Sequence, residues 1–355
     1  MSELHGALNA TELSVLGIDP RHVLDFSSNC LPGHAHAQVR QAARNAAVET
    51  YPSPDAAPLR AQLAHCHGVA ATQIVAGGGA AQLIYAAVQA YSREGDAVLS
   101  VQPSFGEYLD AAKALRRRAI AVPVSVDADP DLAELFEAVE RERPALVCVC
   151  QPNNPTGRLW PDAQVRRLAA VCRERGARLL LDHAYRSFVD PISRFDGVKG
   201  AINLYSLTKD YALAGLRLGY VVTNDDDARS LQRVLPPWSV SAPATAAGCA
   251  ALEPDVVVST DAAIYAIRTS AAALWSALRE RGARVLSSDC HFALIEQPKA
   301  SAFRLRMLQQ THIQVRSAAS FGLPDHIRVC SKGAAADARL LQAWDAVSVS
   351  LSTEL

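Results

Sequence analysis

The middle of this 355-residue chain alternates short apolar runs with longer amphipathic stretches, and that alternation restricts the fold more than any other feature. An apolar run at 97–100 precedes a helix-like segment at about 108–117. Another at 145–150 leads through a Pro/Asn/Gly loop into a helix near 162–175. Runs at 179–182, 202–206 and 218–222 follow. Short apolar runs separated by helical stretches read as α/β units, with largely parallel strands buried on both faces. The 218–222 run follows its predecessor too closely for a helical crossover, so it is a candidate for antiparallel pairing.

The expected fold is therefore α/β, with a large domain over 46–240 whose mostly parallel sheet is flanked by helices. An Ala-rich helical stretch over 241–283 connects it to a small α+β domain over 284–355. Alternating patterns in FALIE, IQVR and IRVC support strands there. Residues 1–45 form an irregular N-terminal arm that contributes to the small domain. The expected site is the crevice between the two domains, at the carboxyl ends of the large sheet's strands.

Composition excludes several function classes. An apolar content of 50% with 20% charged residues excludes a disordered chain. The 35 basic residues are balanced by 36 acidic ones, without the basic surplus that grips nucleic acid. No apolar run approaches the roughly 18–20 residues that cross a bilayer. The first residues, MSELHGALNATELSVLG, lack the basic end and apolar run of a signal peptide. A cytoplasmic protein with no membrane partner is expected. The eight cysteines are scattered, with no C-x-x-C pair, and read as free thiols. His34-x-His36 and His65-x-His67 lack further ligands at a usual spacing, so no metal is expected.

Only five of the basic residues are lysine, and one of them, Lys209, lies between an apolar run and a second apolar stretch. Four polar residues follow or end predicted strands: Asn154 in QPNNPTG, Asp182 in LLLDHAY, and Lys209 and Arg217 in YSLTKDYALAGLRLGY. Singly each has an ordinary role. Asn before Pro suits a turn, Asp caps helices and lysine is usually solvated. Separately, Gly77-Gly-Gly-Ala-Ala-Gln82 opens an apolar helical pattern, where backbone N–H groups can hold an anion. No Gly-Lys-Ser/Thr follows, so this is not a nucleotide P-loop, and no G-x-G-x-x-G supports a nicotinamide site.

In this order and spacing, the residues resemble the fold-type I pyridoxal-phosphate enzymes of the aminotransferase class I/II family over essentially the whole chain. S-L-T-K followed eight residues later by the Arg of GLRLGY is the most specific feature. The resemblance implies an aspartate-aminotransferase-like fold and pyridoxal 5'-phosphate as cofactor. It implies that Lys209 forms the imine with the cofactor aldehyde and later acts as acid and base at Cα. Asp182 would keep the pyridine nitrogen protonated. Tyr185 and Asn154 would hydrogen-bond the ring oxygen, and Phe105 in QPSFGEY would stack on the ring. Gly79, Ala80 and Ala81, with Ser206 and Arg217, would hold the phosphate. Tyr51 in TYPSP would reach the phosphate from a neighbouring subunit, which implies a homodimer. Arg328 in HIRVC would clamp the α-carboxylate of a small amino-acid substrate.

Within the family, the cofactor residues fit histidinol-phosphate aminotransferases and threonine-phosphate decarboxylases alike. Three stretches look more like the decarboxylases: the N-terminal segment from His5-Gly6 to FSSNCLP, PWSVS at 237–241, and IQVRSAASFGLP at 313–324. In that reading His5, Asn29 and Arg316 face the substrate. The chain departs from the decarboxylase pattern with H-G-A-L for H-G-G-N, His183 for the usual Glu, Ser241 for Asn and Gln82 for Glu. These departures bear mostly on the substrate side. The expected reaction is decarboxylation of an O-phosphothreonine-like amino acid, with transfer of an amino group to a 2-keto acid as the alternative. A regulatory effector domain of the same fold would carry a DNA-binding segment ahead of the first family motif, and fewer than about 30 residues stand there.

Overall fold

The computed structural model describes residues 6–33, 35–190 and 196–352. Its strands, in chain order, are β1 (Leu24–Asp25), β2 (Ile74–Gly77), β3 (Ala97–Gln102), β4 (Arg118–Pro123), β5 (Leu146–Cys150) and β6 (Arg178–Asp182). They continue with β7 (Ile202–Ser206), β8 (Gly219–Val222), β9 (Phe292–Glu296), β10 (Ile313–Gln314), β11 (Arg316–Ser317) and β12 (His326–Cys330). Two compact units divide the chain. The larger comprises residues 33–153 and 159–262, the smaller residues 1–32, 154–158 and 263–355. The division falls inside the helix Pro254–Glu280. No helix among the described residues is long and apolar enough to cross a membrane.

The large unit is built on a seven-stranded sheet in the order β2-β8-β7-β6-β5-β3-β4. β8 runs antiparallel to both of its neighbours and the other pairings are parallel. The twelve residues between β7 and β8 hold only the four-residue helix Leu207–Asp210 and the single turn Ala214–Leu216, and not the full helix that a parallel crossover usually carries. All five residues of β5 are buried, as a strand covered on both faces requires. The core includes Val147, Val149, Leu179 and Leu181 of β5 and β6, with Val165 and Leu168 of the helix Asp162–Glu174. β2 and β4 were not legible as strands. The first is only four residues long and runs into glycines, and the second is a largely exposed edge strand.

Register brings the chemically interesting ends together. Cys150 pairs with Asp182, Asp182 with Leu204, Ser206 with Gly219, and Gly219 with Gly77. Gly219 therefore sits between the ends of β7 and β2, directly under the chain that leaves β2. A Cβ there would lie 2.8 Å from the Ala80 amide nitrogen and 3.0 Å from the Tyr205 carbonyl oxygen. Those are backbone atoms that cannot swing aside, so the close approach requires glycine.

In the small unit β9, β12 and β11 form an antiparallel sheet, while β1 pairs in parallel with β10. Phe26, Trp275, Ile295, Phe303, Ile327 and Trp344 lie in its core, with the Phe303 and Trp344 rings 4.9 Å apart. Arg304, itself buried, pairs with Glu12 of the N-terminal helix Ala10–Val15 and donates to Gln314. The N-terminal segment is thereby tied into this unit.

His183, which departs from the residue usual at that position, is a core group of the large unit. Its ring stacks on Tyr205 at 4.9 Å, and its Nε2 donates to Asn203 Oδ1 at 3.0 Å. Asn203 Nδ2 donates in turn to the Val198 and Ala201 carbonyls, which orients the amide. Burial lowers the His183 pKa from 6.5 to about 4. The neutral ring therefore stabilises the fold above pH 6.5, and that contribution is lost as pH falls toward 4. By linkage it amounts to about 3 kcal/mol. Urea midpoints measured from pH 7 to pH 4.5 should fall more steeply for the wild type than for His183→Phe.

Candidate active site

Asp182 ends β6 and is only 3% exposed. Its Oδ2 accepts from the Tyr108 hydroxyl at 2.7 Å, and its Oδ1 accepts from the Ala184 amide at 2.9 Å. Burial raises the Asp182 pKa, opposed by the Tyr108 hydrogen bond, the Ala184 N–H and the positive charge of Lys209. These donors favour a charged carboxylate in a place that water does not reach. Burial, with Asp182 nearby, pushes the Tyr108 phenol well above its ordinary range, so the hydroxyl keeps its proton to donate. Tyr108 is a supporting residue that no sequence motif marks on its own. Its position in Phe105-Gly-Glu-Tyr, opening the helix Glu107–Ala114, was the available signal. The Phe105 ring meets the Tyr108 ring edge-on at 5.6 Å.

Lys209 sits in the short helix Leu207–Asp210, which starts where β7 ends. Ser206 caps that helix, and its hydroxyl lies 2.6 Å from the Thr208 hydroxyl. The lysine is half-buried, with its amine 6.0 Å from the centre of the buried Tyr185 ring. The amine thus stands at a strand end, near an aromatic ring, in the same unit as the buried carboxylate.

The chain leaving β2 builds an anion cradle. Gly79 has φ +96° and ψ 164°, a conformation essentially confined to glycine, and it caps the helix Ala80–Tyr91. The first amides of that helix, those of Ala80 and Ala81 included, have no partner within it. A second group points to the same place. A Cβ on Gly79 would lie 2.9 Å from Nη2 of Arg217, so an exposed guanidinium stands over the helix start. Helix amides and a guanidinium together suit a phosphate dianion. Gln82 holds the loop by accepting from the Gly78 amide at 2.6 Å.

The small unit carries a separate cluster. Arg316 and Arg328 are register partners across β11 and β12, each 3% exposed. Arg328 donates to Asn154 Oδ1 and to the Ser27 carbonyl. Arg316 donates to the Ser320 hydroxyl at 2.8 Å and lies over the Phe321 ring. Like charges facing each other across strands destabilise a sheet, and buried charge calls for an opposite charge nearby. Asn29 is 2% exposed and neither polar atom of its amide finds a partner among the described residues. The adjoining backbone is held by Lys332, whose amine donates to the Ser28 carbonyl at 2.7 Å. Lys332 had no assigned role in the sequence; its partner lies some three hundred residues away. Two arginines and a free amide can accept a molecule with two anionic groups.

Of the residues expected from the sequence, the large unit contains Gly79, Ala80, Ala81, Phe105, Asp182, Tyr185, Ser206, Lys209 and Arg217. Asn29, Asn154, Arg316 and Arg328 belong to the small unit. Tyr51 is 83% exposed, in contact with the Trp238 ring. His5 lies outside the described residues.

The family model of class I and II aminotransferases matches residues 21–346. The chain belongs to this family. A histidinol-phosphate aminotransferase of Symbiobacterium thermophilum is 31% identical over 319 residues, 88% of this chain and 87% of the relative. A threonine-phosphate decarboxylase of Salmonella typhimurium is 32% identical over 363 residues, 96% of this chain and 95% of the relative. Among solved structures, the histidinol-phosphate aminotransferase of Sinorhizobium meliloti, in complex with pyridoxal 5'-phosphate, superposes with a TM-score of 0.87 at 23% identity. That match covers 99% of this chain and 98% of the other. The fold is aspartate-aminotransferase-like, and pyridoxal 5'-phosphate is the cofactor of this aminotransferase-family chain. The anion cradle and the buried carboxylate of the large unit fit its phosphate and its ring nitrogen.

Tyr108→Phe removes one of the hydrogen bonds that favour the Asp182 carboxylate, so protonation of that group becomes easier. The variant should retain cofactor and lose roughly ten- to a hundredfold in kcat, the worth of a hydrogen bond to a charged group. The acid limb of its pH–rate profile should move to higher pH. An unshifted limb would show that Tyr108 does not support the charge on Asp182.

Proposed function

We propose that this chain decarboxylates a small phosphorylated amino acid of the O-phosphothreonine type. The observation that carries the reading is the buried Arg316–Arg328 pair, together with the buried Asn29 amide, which has no partner among the described residues. Arg328 would take the α-carboxylate, while Arg316 and Asn29, with His5, would face the distal phosphate. A threonine-phosphate decarboxylase that matches over 96% of this chain supports this choice.

In the large unit Gly79, Ala80, Ala81, Ser206 and Arg217 would hold the cofactor phosphate, and Phe105 would lie on the ring. Tyr185 and Asn154 would donate to the ring oxygen. Asp182 would keep the ring nitrogen protonated, which requires the charge that Tyr108 and the Ala184 amide support. Lys209 would anchor the cofactor and return a proton to Cα after the carboxylate has left as CO2. The bound cofactor supplies a ring that draws electron density from whichever Cα bond stands perpendicular to it. Transamination is the second reading, favoured by the histidinol-phosphate aminotransferase relative. It would use the same residues and break the Cα–H bond instead.

The high exposure of Tyr51 supports a homodimer in which this side chain would complete the partner's phosphate site. Two experiments test these readings. Incubation with a panel of amino acids and phosphorylated amino acids, without keto acid, should release CO2 and an amine. Keto-acid release with the cofactor left in its amine form would instead establish transamination. Co-refolding inactive Lys209→Ala and impaired Tyr51→Phe subunits should restore activity, because one hybrid site then receives both native residues. Hybrids no better than their parents would remove the shared site.

A further inference from the structure

Trp238 lies in the PWSVS stretch, which the catalytic reading leaves without a task. It has φ +59°, in the left-handed region that a bulky residue rarely adopts. Such a backbone persists only where the surroundings over-determine it. Here the surroundings are the Tyr51 loop. The Trp238 amide donates to the Pro54 carbonyl at 2.8 Å, and its indole Nε1 donates to the Pro52 carbonyl at 3.1 Å. Its ring lies 4.9 Å from the Tyr51 ring at 39°. One residue thus engages three of the four residues of Tyr-Pro-Ser-Pro by three different contacts.

That loop needs an outside support. Pro52 and Pro54 carry no N–H, so the segment cannot form a regular hydrogen-bonded ladder of its own. Tyr51 is far too exposed to be held by a core. The next residue, Ser239, faces the other way. Its carbonyl would lie 3.1 Å from a Cβ on Gly78, and its hydroxyl is 3.5 Å from Gln82 Nε2. Trp238 and Ser239 together join the Tyr51 loop to the loop that opens the anion cradle.

We propose that Trp238 is a positioning residue that holds the Tyr51 hydroxyl ready for a cofactor phosphate. This rests on the reading of Tyr51 given above. The indole is held over the loop by its ring contact with Tyr51 and its Nε1 bond to Pro52. Pre-ordering an exposed side chain lowers the entropy lost when it engages its ligand.

The test is a double-mutant cycle on cofactor affinity, read by titrating apo-enzyme with pyridoxal phosphate. Wild type, Trp238→Ala, Tyr51→Phe and the double variant are compared, with thermal midpoints to identify any variant that fails to fold. Tyr51→Phe should weaken binding roughly ten- to a hundredfold, as loss of a hydrogen bond to a charged group does. Trp238→Ala should weaken it as well, and the double variant should bind like Tyr51→Phe alone, since both changes remove the same contact. Trp238→Phe keeps a ring but loses the indole donor, and should fall between wild type and Trp238→Ala. Effects that multiply in the double variant would overturn the clamp, as would a Trp238→Phe that binds like wild type. Unchanged affinity in Tyr51→Phe would overturn the reading of Tyr51 itself and the clamp with it.

Discussion

A carboxylate that must stay charged with almost no water around it is the constraint on which the large unit depends. Asp182 is buried at the end of a central strand, and burial works against its ionised form. The unit answers with a phenol from a neighbouring helix, a backbone amide two residues on and the charge of Lys209. Each donor has a fixed source. Tyr108 is wholly buried, so its hydroxyl has little freedom to turn elsewhere, and the Ala184 amide is placed by the turn that leaves β6. A cationic ring nitrogen brought to this carboxylate would find a partner already formed. That preparation is worth most where the dielectric is low.

The small unit solves the opposite problem. Two buried guanidinium groups face each other across adjacent strands, and neutral partners take up part of their donor capacity: Asn154, the Ser27 carbonyl and the Ser320 hydroxyl. Hydrogen bonds to neutral oxygens fix the direction in which such groups point. In the same stretch Lys332 holds the Ser28 backbone, and the neighbouring Asn29 amide has no partner among the described residues.

Much of the large unit was legible in its residues. Parallel strands buried on both faces leave unmistakable apolar runs, as in Leu-Val-Cys-Val-Cys, and the residues just beyond them are where a sheet of this kind binds ligands. Lys209 stood out because lysine is rare here, and Arg217 because S-L-T-K followed eight residues later by Arg resembles the family's pattern. Edge strands escaped, since β4 is mostly exposed and β2 dissolves into glycines. His183 was grouped with departures that bear mostly on the substrate, yet it is a stacked core residue with its pKa lowered to about 4. Chain position next to Asp182 suggested proximity to the chemistry. Alternation along the strand end turned it elsewhere, because successive side chains point to opposite faces.

The order of polar residues along the chain was enough for a resemblance that implies the family and its cofactor, because those residues occupy strand ends whose spacing is set by the length of each α/β unit. Tertiary structure alone decided which groups support them. Tyr108 reaches Asp182 across 74 residues, Arg316 opposes Arg328 through strand register, and Trp238 closes on Pro52 across 186. Contacts at such separations leave no local pattern: hydrophobic periodicity and turn chemistry act over a few residues, whereas pairing between distant elements is chosen by packing of the whole unit.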